Sequence, residues 1–208
     1  MTATQRKGRT KDQEAAENAQ EKRQVTHSWR RPSFAEAKVA GKTYGNAIHS
    51  VMQYIPYEKC TDIGSVDAQI KLLAEKGFVT SEAAELANRS QIVSFFQTAI
   101  GEKLRSGVDH VREFKFSILD DGENYGDGLE GEKVLLQGVV DCAMVEDDGI
   151  TILDFKTDAV TAFTIQDKVR QYAPQVSTYA HALEEIFQKP VKAAYLYFFK
   201  LAQLEKIL

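Results

Sequence analysis

The sequence reads as an α/β sandwich built around a mixed β-sheet. Through the first half, apolar residues recur at the three-and-four spacing of amphipathic helices; from about residue 111 the period shortens to the alternation of strands. A long helical stretch then separates the last two strand-like runs, giving the order helices, three strands, helix, strand.

Residues 1–24 contain no Val, Ile or Leu and cannot bury enough surface to offset their ordering entropy, so residues 1–28 are expected to be a basic linker or tail, at most an exposed helix. The Trp29–Phe34 block anchors the edge of a domain spanning 29–208. Residues 45–55 carry Ile48, Val51, Met52 and Ile55 on one helical face and end at Pro56. A second helix runs from Asp67 to Lys76 and closes at Gly77; Thr80 caps a third, and Ser90 a fourth that continues to Gly101. Val111–Leu119, Val134–Val145 and Ile150–Phe155 are strands, with Asp147-Asp148-Gly149 as the hairpin turn between the second and third. The helical pattern over Ile165–Phe187 contains Pro174, which predicts a firm helix starting there with proline at its first position. Val191–Phe199 is the final strand.

Composition excludes several function classes. The 208 residues are 43% hydrophobic and 27% charged, with a formal net charge of −4. Two cysteines, Cys60 and Cys142, are too few for a disulfide framework, a four-cysteine zinc site or an iron–sulfur cluster. The longest apolar run, Ala193–Phe199, is far short of the ~20 residues that span a bilayer, and no apolar leader follows Met1, so no membrane partner is expected and the compartment is a reducing one. The charge is unevenly placed: residues 1–31 hold eight bases and four acids, and residues 120–132 hold six acids and no base. Net charge therefore does not decide the partner. The acidic stretch is not a calcium loop, because Tyr125 occupies a position that needs a carboxylate or amide and strands flank it; it reads as a solvated insertion.

The chemistry concentrates between Gln137 and Asp158. A two-residue turn at 147–148 sets Asp141 opposite Asp154, and a turn at 148–149 sets it opposite Lys156, with Cβ atoms ~5 Å apart for direct partners and ~7–8 Å for diagonal ones. Asp154 and Lys156, two apart, share a face. In either register two carboxylates and an ammonium converge, an arrangement that is costly unless a cation joins it and that suits a hard divalent ion such as Mg²⁺. The same spacing also fits a structural Asp/Lys pair near a strand end.

Gly138-Val-Val-Asp141 followed by Ile152-Leu-Asp154-Phe-Lys156-Thr-Asp158 resembles the core of the PD-(D/E)xK nuclease superfamily, in its RecB-type branch. Three more blocks agree in order: Gly45-Asn-Ala-Ile-His49, Arg112-Glu113-Phe-Lys-Phe116, and Tyr172-Ala-Pro-Gln175-Val-Ser-Thr-Tyr179. Residues 29–200 as a whole are similar to the C-terminal nuclease domain of the AddA chain in bacterial AddAB (RexAB) helicase–nucleases. The resemblance implies a restriction-endonuclease-like fold. It implies Mg²⁺, with Mn²⁺ as a substitute, held by His49, Asp141, Asp154 and the main-chain carbonyl of Phe155. Asp141, Asp154, Lys156 and Glu113 would be catalytic, with Gln175, Tyr179 and Tyr172 supporting or close to DNA. It further implies single-stranded DNA ends as substrate, 3′-to-5′ cleavage in recombinational repair, an AddB/RexB-type partner, a helicase region upstream in the native chain, and a bacterial cytoplasm. No Walker-type phosphate loop is present, so no nucleotide cofactor is expected in this chain. The rival from another class is a non-catalytic DNA- or protein-binding module on a degenerate nuclease fold.

Overall fold

The computed structural model describes residues 39–126, 128 and 130–208, so the tail over 1–28 and the Trp29–Phe34 anchor lie outside the described residues. Helix α1 spans Val39–Tyr54, followed by a single 3₁₀ turn over Tyr57–Lys59, α2 (Ile63–Glu75), α3 (Ser81–Leu86), α4 (Arg89–Phe96) and α5 (Ala99–Arg105). Strands β1 (His110–Asp121), β2 (Lys133–Glu146) and β3 (Gly149–Lys156) come next, then the long helix α6 (Ile165–Phe187), β4 (Val191–Phe198) and β5 (Gln203–Lys206). The five strands lie in sequence order; only β3 and β4 are parallel, and α6 supplies the crossover that a parallel pair requires.

Local chemistry fixes most boundaries, and it moves several of the expected ones. Helix α2 begins earlier than Asp67 because Asp62 forms a reciprocal capping box with Ser65. Thr80 caps α3 as expected. The next helix is capped by Asn88, whose side chain accepts from Gln91 N–H at 3.1 Å, and Ser90 lies inside it. That helix stops at Phe96, and Thr98 caps a separate α5. Helix α6 runs unbroken from Ile165 through Pro174, because its face against β2, β3 and β4 is buried over most of its length, and that burial outweighs the one lost backbone hydrogen bond. Strand β5 carries four mostly polar residues, too short to show a period.

Two cores flank the sheet. On one side, α1–α5 bury Ile48, Met52, Ile70, Ile92 and Phe95 against Cys142, Leu153 and Phe155. On the other, α6 buries Val176, Tyr179 and Leu183 against Val140, Ala143 and Ile152. Phe95 is the hub of the first core: its ring centroid lies 5.2 Å from Phe155 and 5.0 Å from Tyr197. The strand that carries the chemistry is thus clamped from behind by a helical layer.

Candidate active site

The β2–β3 turn is the two-residue Asp147–Asp148, with Glu146 opposite Gly149 and Cys142 opposite Leu153. Continuing that register sets Asp141 opposite Asp154, the first of the two alternatives. Asp154 and Lys156 do share a face, and Lys156 Nζ lies 2.5 Å from Asp154 Oδ2. The Asp154 carboxylate is buried, and the Lys156 ammonium is the partner of its Oδ2.

At the next pair outward the sheet departs from regular alternation. Val111 and Ala143 face α6, and Cys142 faces the other core, yet Phe114 and Val140 are again on the α6 side. The ladder skips one alternation in both strands at once, at Glu113 and Asp141, while the register either side is unchanged. Glu113 absorbs the change with φ +48°, a left-handed conformation that costs a non-glycine residue about 1–3 kcal/mol and is concentrated at functional sites. A regular strand would put Glu113 on the same face as Lys115; the left-handed step instead turns it toward His49 and Asp141.

The skipped alternation brings three donors together. His49 on α1 has Nδ1 3.2 Å from Asp141 Oδ1 and 3.9 Å from Glu113 Oε1. One ligand atom from each of His49, Glu113 and Asp141 lies within 4.8 Å of the other two. Asp154 is outside this trio, turned to Lys156. Asp141 Oδ2 accepts the Phe155 N–H at 2.7 Å, so the main chain at Phe155 touches the cluster while its ring is buried in the core. Gly45, one helical turn before His49, lets α1 approach the chain after β3: a Cβ there would come within 2.9 Å of Thr157 Oγ1.

Electrostatics describe a site short of positive charge. Burial raises the Asp154 pKa and Asp141 raises it further, against the pull of Lys156. For Asp141 the raising effect of burial is outweighed by His49, Lys156 and the Phe155 N–H, and its pKa falls below the usual range. Burial pulls His49 down, but Asp141, Asp154 and Glu113 together hold it above its ordinary value. Imidazole and hard carboxylate oxygens are a divalent-ion donor set, and a dication would offset both the burial and the Asp141 repulsion that raise Asp154. His49, Glu113 and Asp141 fit such an ion, with Asp154 adjacent.

Around Lys156, α6 supplies a second set of partners. Lys156 Nζ donates to Gln175 Oε1 at 3.3 Å, and Gln175 Nε2 donates to the Tyr179 hydroxyl at 2.6 Å. The ammonium also sits 3.8 Å from the centre of the Tyr172 ring. The Tyr172 hydroxyl donates to Asp158 at 2.8 Å; burial first, and then Asp158, raise its pKa and keep it a donor. All three predicted supporting residues therefore meet the lysine or its neighbours.

Sequence reasoning did not single out Arg112. Its guanidinium donates to the Ile55 carbonyl at 2.7 Å and lies 4.4 Å over the Tyr57 ring, tying β1 beside Glu113 to the end of the helix that carries His49. Its position next to Glu113 in the quoted block was the only available signal. Arg112→Ala is expected to destabilise the fold by about 1.5–3 kcal/mol, the scale of a charge-assisted hydrogen bond, and to weaken divalent-ion binding; thermal unfolding with and without Mn²⁺ separates the two effects.

Comparison with known proteins agrees with this geometry. Residues 10–206 match the family described as the PD-(D/E)XK nuclease superfamily. The chain is 35% identical over 215 residues, 96% of its length, to the A-type subunit of the ATP-dependent helicase/nuclease from Bacillus mycoides (strain KBAB4). It is 37% identical over 182 residues, 81% of its length, to the protein of that name from Bacillus cytotoxicus, and 35% identical over 212 residues, 96% of its length, to the one from Bacillus anthracis. The chain spans 14% to 17% of the length of these curated relatives. The aspartate on β2, the Asp-Phe-Lys of β3 and a match over nearly the whole sequence lead to one assignment: the chain belongs to the PD-(D/E)XK nuclease superfamily.

Proposed function

We propose that this nuclease domain is a Mg²⁺-dependent deoxyribonuclease, with Mn²⁺ as an accepted substitute, that degrades single-stranded DNA from its ends in the 3′-to-5′ direction. It would act within a longer bacterial, cytoplasmic helicase–nuclease of recombinational repair, beside an AddB/RexB-type subunit. The observation that carries the reading is the convergence of His49, Glu113 and Asp141 at the place where β1 and β2 skip an alternation, next to the Asp154–Lys156 pair. The polarity and the partners rest on the resemblance to helicase/nuclease subunits. No helix among the described residues is long and apolar enough to cross a membrane.

In this mechanism His49, Glu113 and Asp141 would hold the ion, with Asp154 and the Phe155 carbonyl as the further ligands that the resemblance implies. When bound, such an ion supplies Lewis acidity toward a phosphate oxygen and makes water acidic enough to deprotonate near neutral pH. Lys156, gripped by Asp154, Gln175 and the Tyr172 ring, orients the attacking water or stabilises charge on the phosphate. Asp141 accepts from the Phe155 N–H and so fixes the main chain between the two acidic positions. Substrate contacts fall on the sugar–phosphate backbone rather than on base edges.

The test is cleavage of labelled single-stranded DNA by the purified chain with Mg²⁺, with product sizes read from substrates labelled at either end. No cleavage under Mg²⁺ or Mn²⁺, with no heat of binding for either ion, would favour the binding-module reading.

His49 also gives a pH dependence. Its pKa is raised in the folded protein, so without metal its contribution to stability is fully present below about 6.5, the unfolded value, and is lost as pH rises through the folded value. Metal binding requires the neutral imidazole, so affinity for Mn²⁺ is expected to rise about tenfold per pH unit until His49 is deprotonated, then level off. Calorimetric titrations across that range in wild type and His49→Ala check it; the variant should lose most of the slope.

A further inference from the structure

Of the large apolar side chains among the described residues, Phe163 is by far the most exposed, at 95%, against 67% for Leu119. It stands outside both cores, on the segment between Lys156 and α6. Two features show that the exposure is built in. The flanking Val160 and Ile165 are buried and pin the segment on either side. Between them, Thr161 N–H donates to Thr164 Oγ1 at 3.0 Å, while Thr164 and Ile165 N–H both donate to the Thr161 carbonyl at 3.0 Å, so Ala162 and Phe163 form the tip of a closed turn. The closed turn fixes where the Phe163 backbone sits on the surface.

The turn's surroundings connect it to the site. Upstream, Asp158 accepts from the Tyr172 hydroxyl and pairs with Lys168 Nζ at 3.4 Å; Tyr172 in turn covers Lys156. Downstream, Tyr172 lies seven positions along α6 from Ile165, about 10 Å along the helix axis. Its neighbours along the chain are mostly polar (Thr161, Thr164, Gln166, Lys168), so within this segment the ring is a single exposed apolar side chain in polar ground rather than part of a run of exposed apolar residues.

We propose that Phe163 is a stacking platform for a base of the single-stranded DNA substrate, with Lys168 beside it toward the phosphate backbone. Aromatic rings stack on any base, which suits a nuclease that reads no sequence. The proposal deepens the nuclease reading and rests on it.

The test uses the Asp154→Asn chain, which does not consume its ligand, and fluorescence anisotropy with labelled oligodeoxythymidylate and a matched abasic strand. Phe163→Ala is expected to weaken binding of the normal strand roughly tenfold, within the span of base–aromatic stacking, and Phe163→Trp to retain it. On the abasic strand, which offers no base, Phe163→Ala should cost nothing further; this signature separates stacking from a structural role. Equal affinity of parent and Phe163→Ala for the normal strand overturns the platform, leaves the nuclease reading intact, and points to a protein surface over the ring. An equal loss on both strands overturns it as well. Failure of the parent itself to bind either strand overturns the nuclease reading together with the proposal.

Discussion

Asp154→Asn should lower Mg²⁺-dependent cleavage of single-stranded DNA on the order of 10³-fold or more while leaving the fold in place, the scale on which one member of a cooperating catalytic group fails. Asparagine keeps the shape and removes the charge. The carboxylate is buried, with its Oδ2 2.5 Å from Lys156 Nζ. Its pKa is pushed up by burial and by Asp141, so losing the charge relieves an unfavourable electrostatic situation even as it deprives Lys156 of a partner. Lys156 retains Gln175 and the Tyr172 ring, so cooperative thermal unfolding should persist. Asp154→Ala should show the same catalytic loss. Wild-type cleavage rates in either variant, with folding verified by circular dichroism, would remove Asp154 from the site.

Gly101→Ala should be the most damaging single methyl addition in the helical layer. A Cβ on Gly101 would overlap the Phe95 carbonyl oxygen and lie 2.7 Å from Phe96 Cα, both backbone atoms of the preceding helix. A side chain can rotate away from such a clash, but a helix backbone cannot, so α5 must separate from α4. That separation opens the cluster in which Phe95 meets Phe155 and Tyr197. Overpacking usually costs about 1–3 kcal/mol; contact with backbone puts this case at about 3 kcal/mol or more, a large part of the stability of a typical domain. The expected reading is a fall in melting temperature of roughly 6–12 °C, at 2–4 °C per kcal/mol for a chain of this size. Gly45→Ala is the control: its Cβ would meet the hydroxyl of Thr157, which can rotate, so stability should change little.

Much of the site was legible because hairpins obey parity. Asp147-Asp148-Gly149 announces a tight turn and leaves two registers, in both of which Asp141, Asp154 and Lys156 converge; the structure adopts the one that sets Asp141 against Asp154. Lys156 follows from the same alternation. Parity also explains what was hidden. Glu113 reaches His49 only because β1 and β2 skip one alternation together, and nothing in Arg-Glu-Phe-Lys-Phe marks a left-handed residue at Glu113. Pro174 misled for a related reason: local rules favour starting a helix there, but the burial of Tyr172 and Ile165 before it decided the outcome. Beyond its place next to Glu113, nothing in the sequence marks the role of Arg112, since its partners at Met52 and Ile55 lie about sixty positions away and are main-chain carbonyls.

The shared skip at Glu113 and Asp141 has a practical consequence for engineering the chain. It divides the β1–β2 hairpin into an inner half that holds the chemistry and an outer arm ending in the 3₁₀ turn Gly122–Tyr125. Because pairing from Phe114–Val140 out to Asp121–Lys133 is uninterrupted, a change of length beyond that last pair leaves the inner register untouched, whereas a single deletion between Phe114 and Asp121 shifts every pair up to the catalytic step. The arm's tip is therefore the place to graft a fluorophore, an affinity tag or a surface tether, and the stretch just inside it tolerates substitution but not a change in length.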